Sequence, residues 1–113
     1  MQHSESFLIG SQIETRQVEP GITRQIMGYD DKIMVAKVCF EGGITSGAHS
    51  HGVHSQSSYV SSGVFEITLD GQSRVLRAGD GFFAAPGVEH CACCIERGVL
   101  IDTFSPIRED FLR

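Results

Sequence analysis

A chain of 113 residues with 41% hydrophobic content has room for one domain and a modest core. Its formal net charge of -5, with no lysine or arginine cluster to neutralise phosphates, argues against nucleic acid as a partner. No apolar run approaches the length needed to cross a bilayer, and the start MQHSESFLIG lacks the basic region and long apolar stretch of a secretory signal.

Residues 1–12 read as an N-terminal arm, or as an edge strand that swaps to a partner. Short strand-like runs follow at 22–29, 32–40, 56–61, 64–70, 74–78 and 99–104, separated by Asp30-Asp31, Gly42-Gly43, Asp70-Gly71 and Gly79-Asp80. Asp70-Gly71, between FEITL and SRVLR, is a hairpin signal. Within FEITL, Phe65, Ile67 and Leu69 share one face and Glu66 and Thr68 the other, which predicts a sheet with one buried side. A short turn at 108–112 is the sole helical expectation. With no repeat, linker or low-complexity tract, the pattern predicts an all-β, single-domain jelly roll spanning 1–113.

Cys39, Cys91, Cys93 and Cys94 have no disulfide-framework spacing, and reduced thiols in a cytoplasmic protein are the reading that fits. Strand alternation puts Cys94 on the face of His90 and turns Cys91 and Cys93 away, so the three cannot converge on one ion. Phe82 and Phe83 are expected in the core and on a dimer face.

The chemistry concentrates in four residues. His49 and His51 stand two apart, so in a strand both imidazoles point to one side. Gln56 can add a carbonyl oxygen from the next strand, and His90, in PGVEH, can arrive from a third. Three imidazoles and one amide oxygen suit a divalent transition metal, and nickel, zinc, manganese, cobalt and iron all accept such a set. Gly43 lies six residues before His49, and Gly63 seven after Gln56. His54, between His51 and Gln56, reads as a solvated loop histidine, and His3 as incidental.

The run from Gly43 through His49, His51 and Gln56 to Gly63 resembles the first cupin motif, with Gln where many cupins carry Glu. GDGFFAAPGVEH, residues 79–90, resembles the second, with Ala85 at the usual proline position and Pro86 one place later. GVLIDTFSPIREDF, residues 98–111, and YDDKIMVAKVCFEGG, residues 29–43, resemble a narrower group: the pectin- and alginate-degradation cupins that open the ring of 4,5-unsaturated uronates. The similarity spans about residues 24–112. The resemblance implies a cupin barrel, a small anionic sugar as substrate, and Asp102, Phe104 and Arg108 as active-site positions.

The residues themselves leave the placement of Asp102 open. Val99, Ile101 and Thr103 share one strand face, Leu100, Asp102 and Phe104 the other, and both are largely apolar. An aspartate flanked by Leu100 and Phe104 favours the pocket side. Arg108 is the kind of planar cation that grips a carboxylate at two points, and its alternative is a surface pair with Glu109 or Asp110. Ring opening frees an aldehyde at C1 and an enol at C5, and protonation at C4 then gives the 5-keto acid. Asp102 would serve as the proton shuttle beside a metal with neutral ligands. A metal-dependent dioxygenase, a non-catalytic sugar-acid binding module, and an isomerase or lyase for another small acid remain as alternatives. A homodimer is expected too, with Val99, Ile101 and the N-terminal strand at the contact, because small jelly rolls expose sheet edges and an apolar face.

Overall fold

The computed structural model describes residues 2–113. Seven strands carry the fold: β1 Arg16–Glu19, β2 Ile22–Tyr29, β3 Met34–Phe40, β4 Ser55–Leu69, β5 Gln72–Arg77, β6 Gly81–Ala84 and β7 His90–Ser105. They pair antiparallel in the order β1-β2-β3-β7-β4-β5, with β6 on the free side of the first half of β4. Among the described residues the helical content is two 3-10 turns, Gly10–Gln12 and Glu109–Leu112, the second where a turn was expected. No helix is long and apolar enough to cross a membrane.

Alternation sets what faces inward. In MVAKVCF of β3, Met34, Ala36, Val38 and Phe40 are buried and the residues between are half-exposed. In FEITL, Phe65 and Ile67 enter the core and Glu66 stays outside, as the pattern predicts. Phe65 is fully buried and meets Phe40 edge to face at 5.2 Å. The Asp70-Gly71 turn closes the β4–β5 hairpin with positive φ at both residues, 48° and 83°, the signature of a type I′ turn.

Two long strands replace several short ones. The runs expected at 56–61 and 64–70 are one strand, β4, whose register with β7 shifts around Val60, Ser62 and Val64. Alternation breaks at such a bulge, which made one bent strand read as two. Gly63 and Gly98 sit at this corner: a Cβ on Gly63 would collide with the backbone of Arg97 and Gly98, and one on Gly98 with Ser62 and the Phe65 ring. Here β4 and β7 touch backbone to backbone while they bend, so each strand serves both halves of the barrel. The strands β1 and β6 were not anticipated.

Among the described residues, segments near both termini hydrogen-bond to or pack on the barrel. In the N-terminal segment, the Ser4 amide donates to the Tyr29 carbonyl at 2.8 Å, and Gln25 Nε2 donates to the carbonyls of Gly10 and Ile13. The C-terminal segment buries Ile107 and sets Phe111 edge-on to Phe104 at 5.4 Å.

Candidate metal centre

Residues 49–51 are not a regular strand, contrary to the expectation; His49 alone forms an isolated bridge, and its partner is His90. The two exchange backbone hydrogen bonds, His49 N to His90 O at 3.0 Å and His90 N to His49 O at 2.8 Å. That pairing fixes the two rings side by side, with centroids 4.3 Å apart. His51 is anchored by its carbonyl, which accepts from the Gly87 amide at 2.8 Å, and its ring lies 5.1 and 5.2 Å from those of His49 and His90. One ligand atom from each of the three lies within 4.8 Å of the others, a group that could hold a metal ion.

Hydrogen bonds behind the rings decide which nitrogens face the centre. His49 Nδ1 lies 2.8 Å from the Gly47 carbonyl, and His90 Nδ1 3.1 Å from that of Val88. A carbonyl can only accept, so each Nδ1 carries the proton and each Nε2 keeps its lone pair, the arrangement that metal-binding histidines use. The fourth expected residue, Gln56, is buried at the start of β4 and donates its amide Nε2 to Ser58 Oγ at 3.0 Å, which leaves Oε1 as the free end. Gln56 Oε1 and His90 Nε2 are buried and have no hydrogen-bond partner. Unpartnered buried acceptors are costly unless something electropositive satisfies them, so the donor set fits a divalent cation.

Electrostatics favours the neutral form of His51 and His90. Burial, and then the nearby Arg108 charge, lowers the pKa of His51 to about 4. Burial lowers that of His90 against the opposing Val88 carbonyl. Asp102 faces inward on β7 and lines the same cavity as the histidines, so of its two open placements the pocket side is the one observed. Burial raises its pKa to about 6, although Ser58 Oγ donates to Oδ1 at 2.6 Å and pulls the other way. The Ser58 hydroxyl thus links the amide of Gln56 to the carboxylate of Asp102. Phe104 is buried next in the same row and meets the His51 ring edge-on at 6.2 Å.

Arg108 combines both expectations made for it. Its Nε and Nη2 donate to the two carboxylate oxygens of Asp110 at 2.9 and 2.7 Å, the surface partner foreseen. Yet its side chain is only 13% exposed, and Nη1 turns inward to 3.0 Å from His51 Nε2. His54 is not a solvated loop residue: it is half-buried, and its Nε2 lies 3.1 Å from the Ile107 carbonyl, where it holds the C-terminal segment. Cys94 is buried while Cys91 and Cys93 are half-exposed, as alternation predicts.

Sequence reasoning missed Ser58 and Arg24. Ser58 continues the inward row Gln56, Ser58, Val60, so its burial could have been read from alternation. Arg24 occupies the inward row of β2 between Ile22 and Ile26, and lines the cavity. An arginine at the centre of an apolar row was the available signal.

A β-barrel that gathers three histidines and a buried amide oxygen at its mouth is the architecture of a metal-binding cupin, and residues 36–99 match the Cupin domain family. The chain belongs to that family. It is 37% identical over 107 residues to the pectin degradation protein KdgF of Dickeya dadantii (strain 3937), covering 94% of this chain and 97% of that protein, and the two are homologous. Among solved structures, KdgF from Halomonas sp. superposes with a TM-score of 0.91 at 38% identity, covering 96% of this chain and 99% of that one. An RmlC-like cupin from Shewanella frigidimarina NCIMB 400 gives a TM-score of 0.94 at 47% identity, covering 98% and 99%.

Proposed function

We propose that this cupin acts in pectin or alginate breakdown, where it converts 4,5-unsaturated uronate monosaccharides to the linear 5-keto form. The observation that carries the reading is the juxtaposition of two chemistries on one cavity wall: the histidine–glutamine set, and a protonatable carboxyl, Asp102, two residues along the chain from Phe104. Homology to KdgF proteins over nearly the whole chain supports the substrate class. The cavity, about 230 Å³, lies below the roughly 300–1,000 Å³ of typical small-molecule pockets and suits one sugar ring.

His49, His51, His90 and Gln56 would hold the metal. When bound, it would supply a Lewis-acid charge for a developing enolate and the carboxylate beside it, undiminished by its neutral ligands. Asp102 is the proton carrier. Burial raises its pKa, to about 6 before any metal is bound, so it can take the C1 hydroxyl proton or deliver one to C4. Ser58 orients that carboxyl, and Phe104 shapes the wall beside it. Arg108, with two of its nitrogens on Asp110, offers Nη1 as a positive edge for the enol oxygen.

The test is incubation of nickel-, zinc-, manganese-, cobalt- or iron-loaded protein with the unsaturated monouronate. Loss of the conjugated double-bond absorbance, faster than without protein and abolished by a chelator, is the expected result. Binding of the uronate without turnover under every metal would replace the enzyme by a sugar-acid binding module. We further propose that the protein is a homodimer, since Tyr59, paired with Ile101 on β7, and Phe83 on β6 leave apolar surface exposed. Light scattering should give twice the 12.3 kDa chain mass.

A further inference from the structure

We propose that Arg24 is the carboxylate-binding residue of the cavity, receiving the acid group of a uronate on the free edge of its guanidinium. This inference deepens the functional reading above and takes its ligand class from it. Two arginines share one aromatic ring: the guanidinium carbon of Arg24 lies 3.7 Å from the Phe111 centroid and that of Arg108 4.3 Å. Stacking uses the face of a guanidinium and leaves its N–H donors pointing out in the plane. For Arg108 that edge is taken, since Asp110 occupies Nε and Nη2. For Arg24 it is free: among the described residues, the ion pairs are Arg16–Glu14 and Arg108–Asp110, and no side-chain hydrogen bond engages its donors.

The position is costly without a ligand. Arg24 is half-buried in the apolar row Ile22, Arg24, Ile26, and burial together with the charges of Arg16 and Arg108 disfavours its cationic form, more than the carboxylates of Asp110 and Asp102 favour it. A cation that is desolvated, stacked and unpaired is prepared for an anion, because the desolvation cost has been met before the ligand arrives.

Register supplies the geometry. Arg24 pairs with Val38, which pairs with Leu100 on β7, two residues before Asp102. Arg24 and Asp102 therefore flank the cavity across β3, two strand spacings apart and two residues along, with backbones roughly 12 Å apart, enough to place a sugar ring between them. A two-point bond to Arg24 would hold the carboxylate and leave the ring's remaining atoms toward Asp102 and the histidines.

Calorimetry with galacturonate and its methyl ester, on metal-loaded wild type, Arg24→Gln and Arg24→Lys, tests this. Wild type should bind the acid more tightly than the ester. Arg24→Gln should weaken the acid tenfold or more, leave the ester unchanged and retain metal content, while Arg24→Lys should recover part of the loss. Equal binding of acid and ester by wild type, unchanged acid binding by Arg24→Gln, or equal loss of both ligands in both variants would overturn the assignment. Turnover is a separate arm. Wild type that binds galacturonate through Arg24 but leaves the unsaturated uronate unchanged would refute the ring-opening reading and keep Arg24.

Discussion

The two halves of β4 obey the same alternation and build opposite environments. Before the Gly63 corner, its inward row is Gln56, Ser58 and Val60, lying against Phe104, Asp102 and Leu100 of β7. After the corner, the row is Phe65, Ile67 and Leu69, against Cys94, Ala92 and His90. The side chains of β4 itself are apolar in the second half and need no partners; the polar group opposite them, His90, belongs to the candidate metal set. The first buries an amide and a hydroxyl and half-buries a carboxyl, which satisfy one another through the chain Gln56–Ser58–Asp102. One strand thus separates stability from chemistry by sequence position alone: burial is cheap where side chains are apolar, and specific where they are polar.

The largest effect should come from breaking the apolar half. Phe65→Ala removes a fully buried ring and should cost about 3–5 kcal/mol in chemical denaturation. The surviving folded fraction should keep its metal stoichiometry, and lost stoichiometry in that fraction would mean that the halves are not separable.

On the polar half, Asp102→Asn should cut turnover by about a hundredfold or more, since the shape stays and the titrating proton goes. The same substitution should have the opposite effect on stability. The folded state raises the Asp102 pKa from 3.8 to about 6, so it binds that proton more tightly than the unfolded chain does. Stability from this group is therefore lost as pH rises between those values, and the buried charge is a burden above them. Metal-free Asp102→Asn should exceed wild type by about 1–3 kcal/mol at pH 8, and thermal melts should show the gap closing below pH 4. A constant gap across that range would mean that another group titrates.

Ser58→Ala should come next, at about 1–3 kcal/mol, because it leaves the Gln56 amide and the Asp102 carboxylate each one partner short. The Ser58 hydroxyl stabilises the charged form of Asp102, so its removal should also move the pH midpoint of activity upward, with Ser58→Thr restoring it. The smallest effect belongs to the outer row of the apolar half. Thr68 Oγ1 meets Ser73 Oγ at 2.7 Å at the surface, and Thr68→Val should change stability by no more than about 0.5 kcal/mol and leave turnover unaltered.

What could be read without coordinates was whatever depends on local order. The Asp70-Gly71 turn, the inward Phe65 and Ile67, and the separation of Cys94 from Cys91 and Cys93 follow from period-two geometry and turn chemistry. The histidines and Gln56 stood out because few other roles explain three imidazoles and an amide at that spacing. Alternation divides a strand into two faces but does not say which is inside, and on residues 99–104 both faces were apolar enough to compete. Only the pairing of β7 with β3 on one side and β4 on the other turned Asp102 into the cavity. The bend at Gly63 and Gly98, the pairing of His49 with His90, the capture of Arg108 by Asp110 and the free edge of Arg24 all join residues distant in the fold or compete for one partner. Such contacts depend on three-dimensional distance and on which donor reaches an acceptor first, and sequence spacing carries neither.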